Sequence, residues 1–270
     1  MKNSNKLIGV LLFAIILMLS GCGSSEKASN SAEPDEKKVL KVGTDAAFAP
    51  FEYMDKGKIV GFDVDFLAAV MEEAGYKHKL DNIGWDPLFA SVQGKQIDLA
   101  ISGITINDDR KQTYDFSIPY FESTHMIVFK EGTDIKSAED LKGKKIGVQN
   151  GTTGQLAAEK VVGANNNISK YENTAVAFMA LENNDVEVVV TDNVVASEYT
   201  KNNPNSKVKA IEDKDSFESE FYGLMFPKDS KLKAEFDVAI KAVIESGKYA
   251  EIYEKWFGKE PSVDTLLKAE

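Results

Sequence analysis

The chain has 270 residues and a formal net charge of −11 at pH 7, which argues against nucleic-acid binding, where a basic face must neutralise phosphates. A single cysteine excludes a disulfide framework and a cysteine-ligated zinc. Arginine occurs once, at Arg110, while lysine fills every other basic position. A guanidinium grips a carboxylate with two parallel hydrogen bonds and keeps its charge when desolvated, which an ammonium does less well. Arg110 is therefore a candidate anchor for an anionic group held out of water, with a pairing to a neighbouring aspartate as the plainer alternative.

The chain opens with Lys2 and Lys6, then an apolar run from Leu7 to Leu19 that is too short to span a bilayer and typical of a signal peptide. Residues 23–38, rich in Ser, Glu, Lys and Ala, read as a flexible tether. Beyond it, strand-like and helix-like runs alternate, the pattern of an α/β fold. Val39–Thr44 is a predicted strand. Asp63 is a predicted N-cap for a helix with Phe66, Leu67, Val70, Met71 and Ala74 on one face, stopped by Gly75. His78–Ile83 is a predicted strand, Trp85–Lys95 a helix and Ile97–Ser102 a strand, followed by Gly103.

An extended apolar run from Ser123 to Lys130 precedes a second unit of the same kind. Lys145–Gln149 is a predicted strand ending in Asn150-Gly151-Thr152-Thr153, from which a helix runs through Lys160. A strand at Ile168–Tyr171, a helix at Ala175–Leu181 and a buried strand at Val186–Thr191 follow, ending at Asp192. Val194–Lys201 reads as a helix, Val208–Ile211 as a strand and Phe221–Phe226 as a second extended run. Helices over Lys231–Ser246 and Tyr249–Trp256 close the chain. Two α/β units joined by two extended segments predict two lobes with two crossings; one doubly wound sheet is the alternative.

Asp45, Gly103, Asp192 and the 150–153 turn each follow the end of a predicted strand. In open α/β sheets, ligands sit outside the carboxyl ends of the strands, so these residues should share one rim. The 150–153 turn opens a helix, whose free N–H groups favour an anion. A carboxylate between Arg110 and that helix start, with an ammonium on Asp192, describes an α-amino acid. N-capping is the competing role for Asp45, Asp192, Thr152 and Thr153. Phe48 and Phe51, in an aromatic loop after a strand end, and Trp85 either line a slot for aliphatic or cationic groups or belong to the core.

The segments TDAAFAPFE at 44–52, GFDVD at 61–65, ISGITINDDRKQ at 101–112, DFSIPYF at 115–121, GVQNGTTG at 147–154 and TDN at 191–193 resemble the extracellular solute-binding proteins of polar amino acid ABC importers. The arginine/lysine/histidine-binding branch is most similar, and the glutamine-binding branch is next. The resemblance implies a two-lobed periplasmic-binding-protein-like α/β fold of type II. It also implies that Arg110 holds the ligand carboxylate, helped by main-chain N–H groups at Thr105 and Thr153. The ammonium would go to Asp192, the Gly103 carbonyl and the Thr105 hydroxyl. Phe48 and Trp85 would flank the side chain and Asp45 would meet its tip, with Glu52, Ser102 and Thr152 also at the site. Gln149 departs from the glutamine-binding pattern, in which a lysine commonly stands there; a neutral Gln favours a cationic ligand.

The apolar leader ends in Leu19-Ser20-Gly21-Cys22, which resembles the bacterial lipobox and implies a lipoprotein signal peptide at 1–21 and a lipidated Cys22 and tether at 22–37, with an ordinary secretory signal as the alternative. The body divides into a discontinuous lobe 1 at 38–126 plus 222–270 and lobe 2 at 127–221. The family resemblance implies a monomer on the outer face of the membrane, anchored only through Cys22. Such a protein would deliver a basic amino acid to an ABC permease and its ATPase, with no cofactor and no resident metal. The alternatives are a glutamine-binding protein, or a dehydratase-like enzyme on the same scaffold. Against the enzyme stand a body with no thiol, only His78 and His125, and no His-Glu-x-x-His run.

Overall fold

The computed structural model describes residues 39–164 and 166–268, so the signal peptide, Cys22 and the tether lie outside the described residues. The first body opens with β1 (Val39–Thr44) and a meander of β2 (Ala47–Phe48), β3 (Glu52–Asp55) and β4 (Lys58–Val60). It continues with α1 (Phe62–Glu73), β5 (Lys77–Asn82), α2 (Trp85–Gln93), β6 (Leu99–Ala100), α3 (Asp108–Thr113) and β7 (Tyr114–Phe116). Then come β8 (Phe121–Ser123), β9 (His125–Lys130), a 3-10 turn at Ala138–Leu141, β10 (Ile146–Gln149), α4 (Thr153–Val162) and β11 (Ile168–Tyr171). Next are α5 (Thr174–Glu182), β12 (Val188–Asp192), α6 (Asn193–Asn202) and β13 (Val208–Glu212). The chain returns through β14 (Glu220–Tyr222) and β15 (Met225–Pro227), then ends in α7 (Leu232–Glu245), α8 (Lys248–Phe257) and α9 (Val263–Lys268).

Two separate five-stranded sheets form, so the single doubly wound sheet is set aside. The first has the order β5-β1-β6-β15-β7 and the second β11-β10-β12-β9-β13. In each, three parallel strands joined by helical crossovers make one side, as parallel pairing requires. The antiparallel members, β15 and β9, belong to the two segments that pass between the sheets. On those segments β8 and β14 pair with each other, giving the two crossings, and Tyr222 of β14 also bridges to Thr105. The parallel strands of both sheets end toward the same cleft.

Helix α1 buries Phe66, Leu67, Val70 and Met71 as its period predicts. Helices α7 and α8 pack back on it, so the C-terminal segment belongs with the first sheet. Rings of Phe62, Phe66, Tyr120 and Tyr249 interlock there at centroid separations of 4.8 to 6.4 Å. Each such side chain contributes about 1.5–3 kcal/mol on burial. A second core of Ile127, Ile146, Val148, Val188 and Val190 sits against Leu141 and Ala158. No helix among the described residues is long and apolar enough to cross a membrane.

Several expectations change. Asp63 does not cap α1: Gly61 is the N-cap, without a side-chain bond, and Asp63 is fully buried in the first turn. The run at 97–102 keeps ladder geometry only at Leu99–Ala100, because the chain leaves the sheet to build the Ser102-Gly103 turn. The 123–130 run breaks at Thr124, where it passes from the crossing ribbon into the second sheet. The β3–β4 hairpin and α3 carry too few apolar residues to declare themselves by period. Helix α3 is instead started by Asn107, whose side chain accepts from the Arg110 amide at 2.9 Å.

Candidate functional site

One cavity between the two sheets is lined by Asp45, Phe48, Trp85, Ser102, Gly103, Thr105, Arg110, Gln149, Thr152, Thr153 and Asp192. The first seven stand on the first body, the rest at the carboxyl ends of β10 and β12. Of the residues expected at a site, only Glu52 fails to line it. The cleft is closed across its width: Gln149 Nε2 donates to Asp45 Oδ2 at 3.1 Å, and Asn150 Nδ2 lies 3.3 Å from the Asp86 carboxylate.

Arg110 is positioned by α3, one turn after its Asn107 cap. Its Nη1 donates to the Thr105 carbonyl at 2.8 Å and its Nη2 to the Gly151 carbonyl across the cleft at 3.2 Å. The guanidinium carbon lies 5.5 Å from the Trp85 ring centre and 5.1 Å from that of Phe89. Two of its five N–H donors are thus spent on main-chain carbonyls. Burial lowers its pKa from the ordinary guanidinium value to about 10, with Glu220, Asp192 and Tyr114 opposing that fall, so it is fully charged at neutral pH.

Asp192 ends β12 and precedes α6, yet its side chain makes no capping bond. Its Oδ2 accepts from the Tyr222 hydroxyl and, at 3.3 Å, from Ser123 Oγ. Tyr222 is driven well above the usual phenol range by burial first and by the Asp192 charge next, so it remains a donor. Asp45 likewise caps nothing. Burial raises its carboxyl from 3.8 to about 6; Gln149 opposes the rise, while the charges of Glu172 and Asp86 add to it. Thr152 does cap α4, accepting from the Gln155 amide at 3.2 Å and donating to the Gln149 carbonyl at 2.9 Å. The Gln149 amide is fixed from behind by the Thr174 hydroxyl at 2.9 Å.

Glu52 is a correction. It is fully buried behind the Ser102 hydroxyl, which donates to it at 2.7 Å while accepting from the Asp45 amide at 3.0 Å. Asp63, equally buried, accepts from the Gly103 amide and the Tyr120 hydroxyl, each at 2.9 Å. Glu52 Oε2 and Asp63 Oδ1 have no other hydrogen-bond partner, and a proton held between the two acids would satisfy both. Burial, then the Asp63 charge, drives the Glu52 carboxyl well above its usual range; burial pushes Asp63 up to about 6. The pair therefore builds the Ser102-Gly103 turn from beneath. At that turn φ is +53° and a Cβ on Gly103 would come within 2.9 Å of the Phe48 ring, so only glycine fits. Phe51 stands behind Phe48, stacked at 5.7 Å and fully buried, as core.

Sequence reasoning missed Glu220, Tyr222, Ser123 and Phe89, which touch or support the lining residues. The first three lie on the crossing strands, and their only signal was a polar residue opening or closing an apolar extended run. His125, Asp192 and Glu220 bring one donor atom each within 4.8 Å of one another. Hydroxyls already occupy Asp192 Oδ2 and Glu220 Oε1, so this group is arranged for hydroxyl donors rather than for a metal.

Residues 40–259 match the bacterial extracellular solute-binding proteins, family 3. A probable histidine-binding protein of Neisseria gonorrhoeae is 37% identical over 262 residues, which is 96% of this chain and 97% of that protein. The arginine-binding extracellular protein ArtP of Bacillus subtilis (strain 168) is 33% identical over 248 residues, 91% of this chain and 95% of its own length. Among solved structures, the arginine-, lysine-, histidine-binding protein ArtJ from Geobacillus stearothermophilus matches with a TM-score of 0.84 and 64% identity, covering 86% of this chain and all of that one.

Proposed function

The chain belongs to the bacterial extracellular solute-binding proteins of family 3, and from that premise we propose that it captures a basic L-amino acid, arginine, lysine or histidine, and delivers it to an ABC permease. The observation that carries this reading is the placement of charge around one cavity. Arg110, the sole arginine, stands at one point of it, Asp192 faces that region from the other sheet, and Asp45 supplies a further acid. An α-carboxylate pairs with Arg110, an α-ammonium with Asp192 and a cationic tip with Asp45. Phe48 and Trp85 provide apolar and π surface for the stem. The neutral Gln149 beside Asp45, with Glu172 and Asp86 adding negative field, supports a cationic tip over the neutral amide of glutamine.

The lobes of this reading are residues 38–126 plus 222–270 and residues 127–221, hinged where β8 and β14 cross. Ligand favours the closed state only through contacts it makes with both lobes at once, here Arg110 and Asp45 on one and Asp192 and Thr153 on the other. The protein acts as a monomeric carrier without catalysis, tethered outside the cell by a lipid on Cys22. Relatives named for binding rather than turnover support the first point. The lone cysteine after an apolar leader supports the second.

The test is thermal unfolding with each of the twenty amino acids in turn. A ligand at a hundred times its dissociation constant stabilises by about 2.7 kcal/mol, so arginine, lysine and histidine should give the large shifts and be recovered unchanged. Shifts confined to glutamine would overturn the basic preference. No shift with any amino acid would overturn the function.

A further inference from the structure

Glu220 does not line the cavity, yet it touches both sides of the cleft. It opens β14, one of the two crossing strands, and is largely buried. A single carboxylate oxygen, Oε1, accepts the Thr105 hydroxyl at 2.8 Å and the Thr153 hydroxyl at 2.9 Å. Thr105 belongs to the turn after β6 of the first sheet; Thr153 opens α4 after β10 of the second. The two hydroxyl oxygens lie 3.3 Å apart. Since each spends its proton on Glu220, neither donates to the other. The buried His125 Nε2 has no hydrogen-bond partner and lies 3.7 Å from the same Glu220 oxygen. Asp192 and Arg110 are the other charges facing this carboxylate.

The remaining side-chain ties across the cleft are of another kind. Asp45 with Gln149, and Arg110 with the Gly151 carbonyl, use groups that a ligand addresses. Asn150 with Asp86 is exposed and long. The Glu220 bridge lies at the hinge side and takes only the hydroxyl protons of Thr105 and Thr153, leaving their lone pairs to a ligand.

We propose that Glu220 is the clasp of the cleft: one carboxylate on a crossing strand holds a hydroxyl from each lobe, biases the protein toward closure and fixes the Thr105 hydroxyl as a hydrogen-bond acceptor toward the cavity. A ligand ammonium meets a preset lone pair there, so Glu220 acts as a positioning residue through Thr105 and Thr153. The affinity part of this inference rests on the amino-acid reading above; the closure part does not.

The experiment measures the distance between the lobes by pulsed electron spin resonance without added amino acid. Spin labels go on the exposed positions Lys58→Cys and Ser169→Cys, in a chain carrying Cys22→Ser. Glu220→Ala should lengthen and broaden the distance distribution, and Thr153→Ala should shift it in the same direction. The double variant should add nothing beyond Glu220→Ala, because both remove one bridge. Glu220→Gln, which keeps an acceptor oxygen, should restore most of the closed population. A Glu220→Ala distribution that overlays the parent, or additive effects of the two substitutions, would overturn the clasp. If Glu220→Ala does not fold, Thr153→Ala alone decides, since it cuts the same bridge at the half-buried first residue of α4 and leaves the buried carboxylate in place. In calorimetry with arginine, Glu220→Ala should bind about tenfold more weakly, the cost of one lost hydrogen bond. A parent protein that bound no amino acid would sink the functional reading while the distances still judged the clasp.

Discussion

Replacing Arg110 by lysine keeps a positive charge and removes the fork, so it isolates what the guanidinium supplies. The native group bonds the Thr105 and Gly151 carbonyls on opposite sides of the cleft and still has donors for a ligand carboxylate. An ammonium on a flexible stem cannot hold both carbonyls and a carboxylate edge together. Losing one or two charge-assisted hydrogen bonds costs about 1.5–3 kcal/mol each. Burial adds a second effect. Desolvation lowers Arg110 from its ordinary value to about 10; the same burial acts in the same direction on a lysine, which starts from a lower value and so loses charge sooner. Arg110→Lys should therefore weaken arginine binding by at least about tenfold at pH 7. It should lose further affinity between pH 7 and 9, where the parent changes little. Isothermal titration calorimetry at both pH values reads this directly. A variant within threefold of the parent at pH 7, with no added loss at pH 9, would refute both the fork and the desolvation arguments.

Asp45→Asn should reduce affinity for arginine and lysine by about 2 kcal/mol or more while leaving glutamine nearly unaffected, measured by competitive titration. The parent's affinity for arginine should also fall as pH drops through about 6: the raised Asp45 carboxyl is ionised above that value, and its protonated form offers a cation no charge. Glutamine binding should show no such step. Glu52→Gln, which imitates the neutral acid between Ser102 and Asp63, should unfold within about 1 kcal/mol of the parent at pH 7, whereas Glu52→Ala should cost about 2–4 kcal/mol by orphaning both neighbours. Equal stability of the two variants in urea titrations would contradict the shared proton. Gly61→Ala should lose several kcal/mol or fail to express, because its Cβ would sit 1.9 Å from the Phe51 carbonyl where φ is +147°.

Most of the cleft rim was legible in the sequence because position after a strand is a local property. Once Thr44, Gln149 and Thr191 are placed at or near strand ends, topology delivers Asp45, the 150–153 turn and Asp192 to one edge without knowledge of packing. The isolated arginine was legible for a different reason: composition made its choice over lysine informative. Glu52 was misplaced because its motif neighbours line the cavity, whereas β3 turns its side chain toward Asp63. Its role depends on a residue that an N-cap argument had assigned elsewhere.

The sequence by itself determined the α/β alternation, the cleft-edge residues and the charges they carry, since each follows from periodicity, strand ends or residue chemistry along the chain. Only the tertiary structure decided that Glu52 and Asp63 are buried together beneath the Ser102-Gly103 turn, and that Glu220 joins Thr105 to Thr153. Those contacts link residues 11, 40, 50, 67 and 115 positions apart. Burial and charge coupling arise where distant segments pack, and no local pattern in the chain encodes which buried carboxyl will meet which partner.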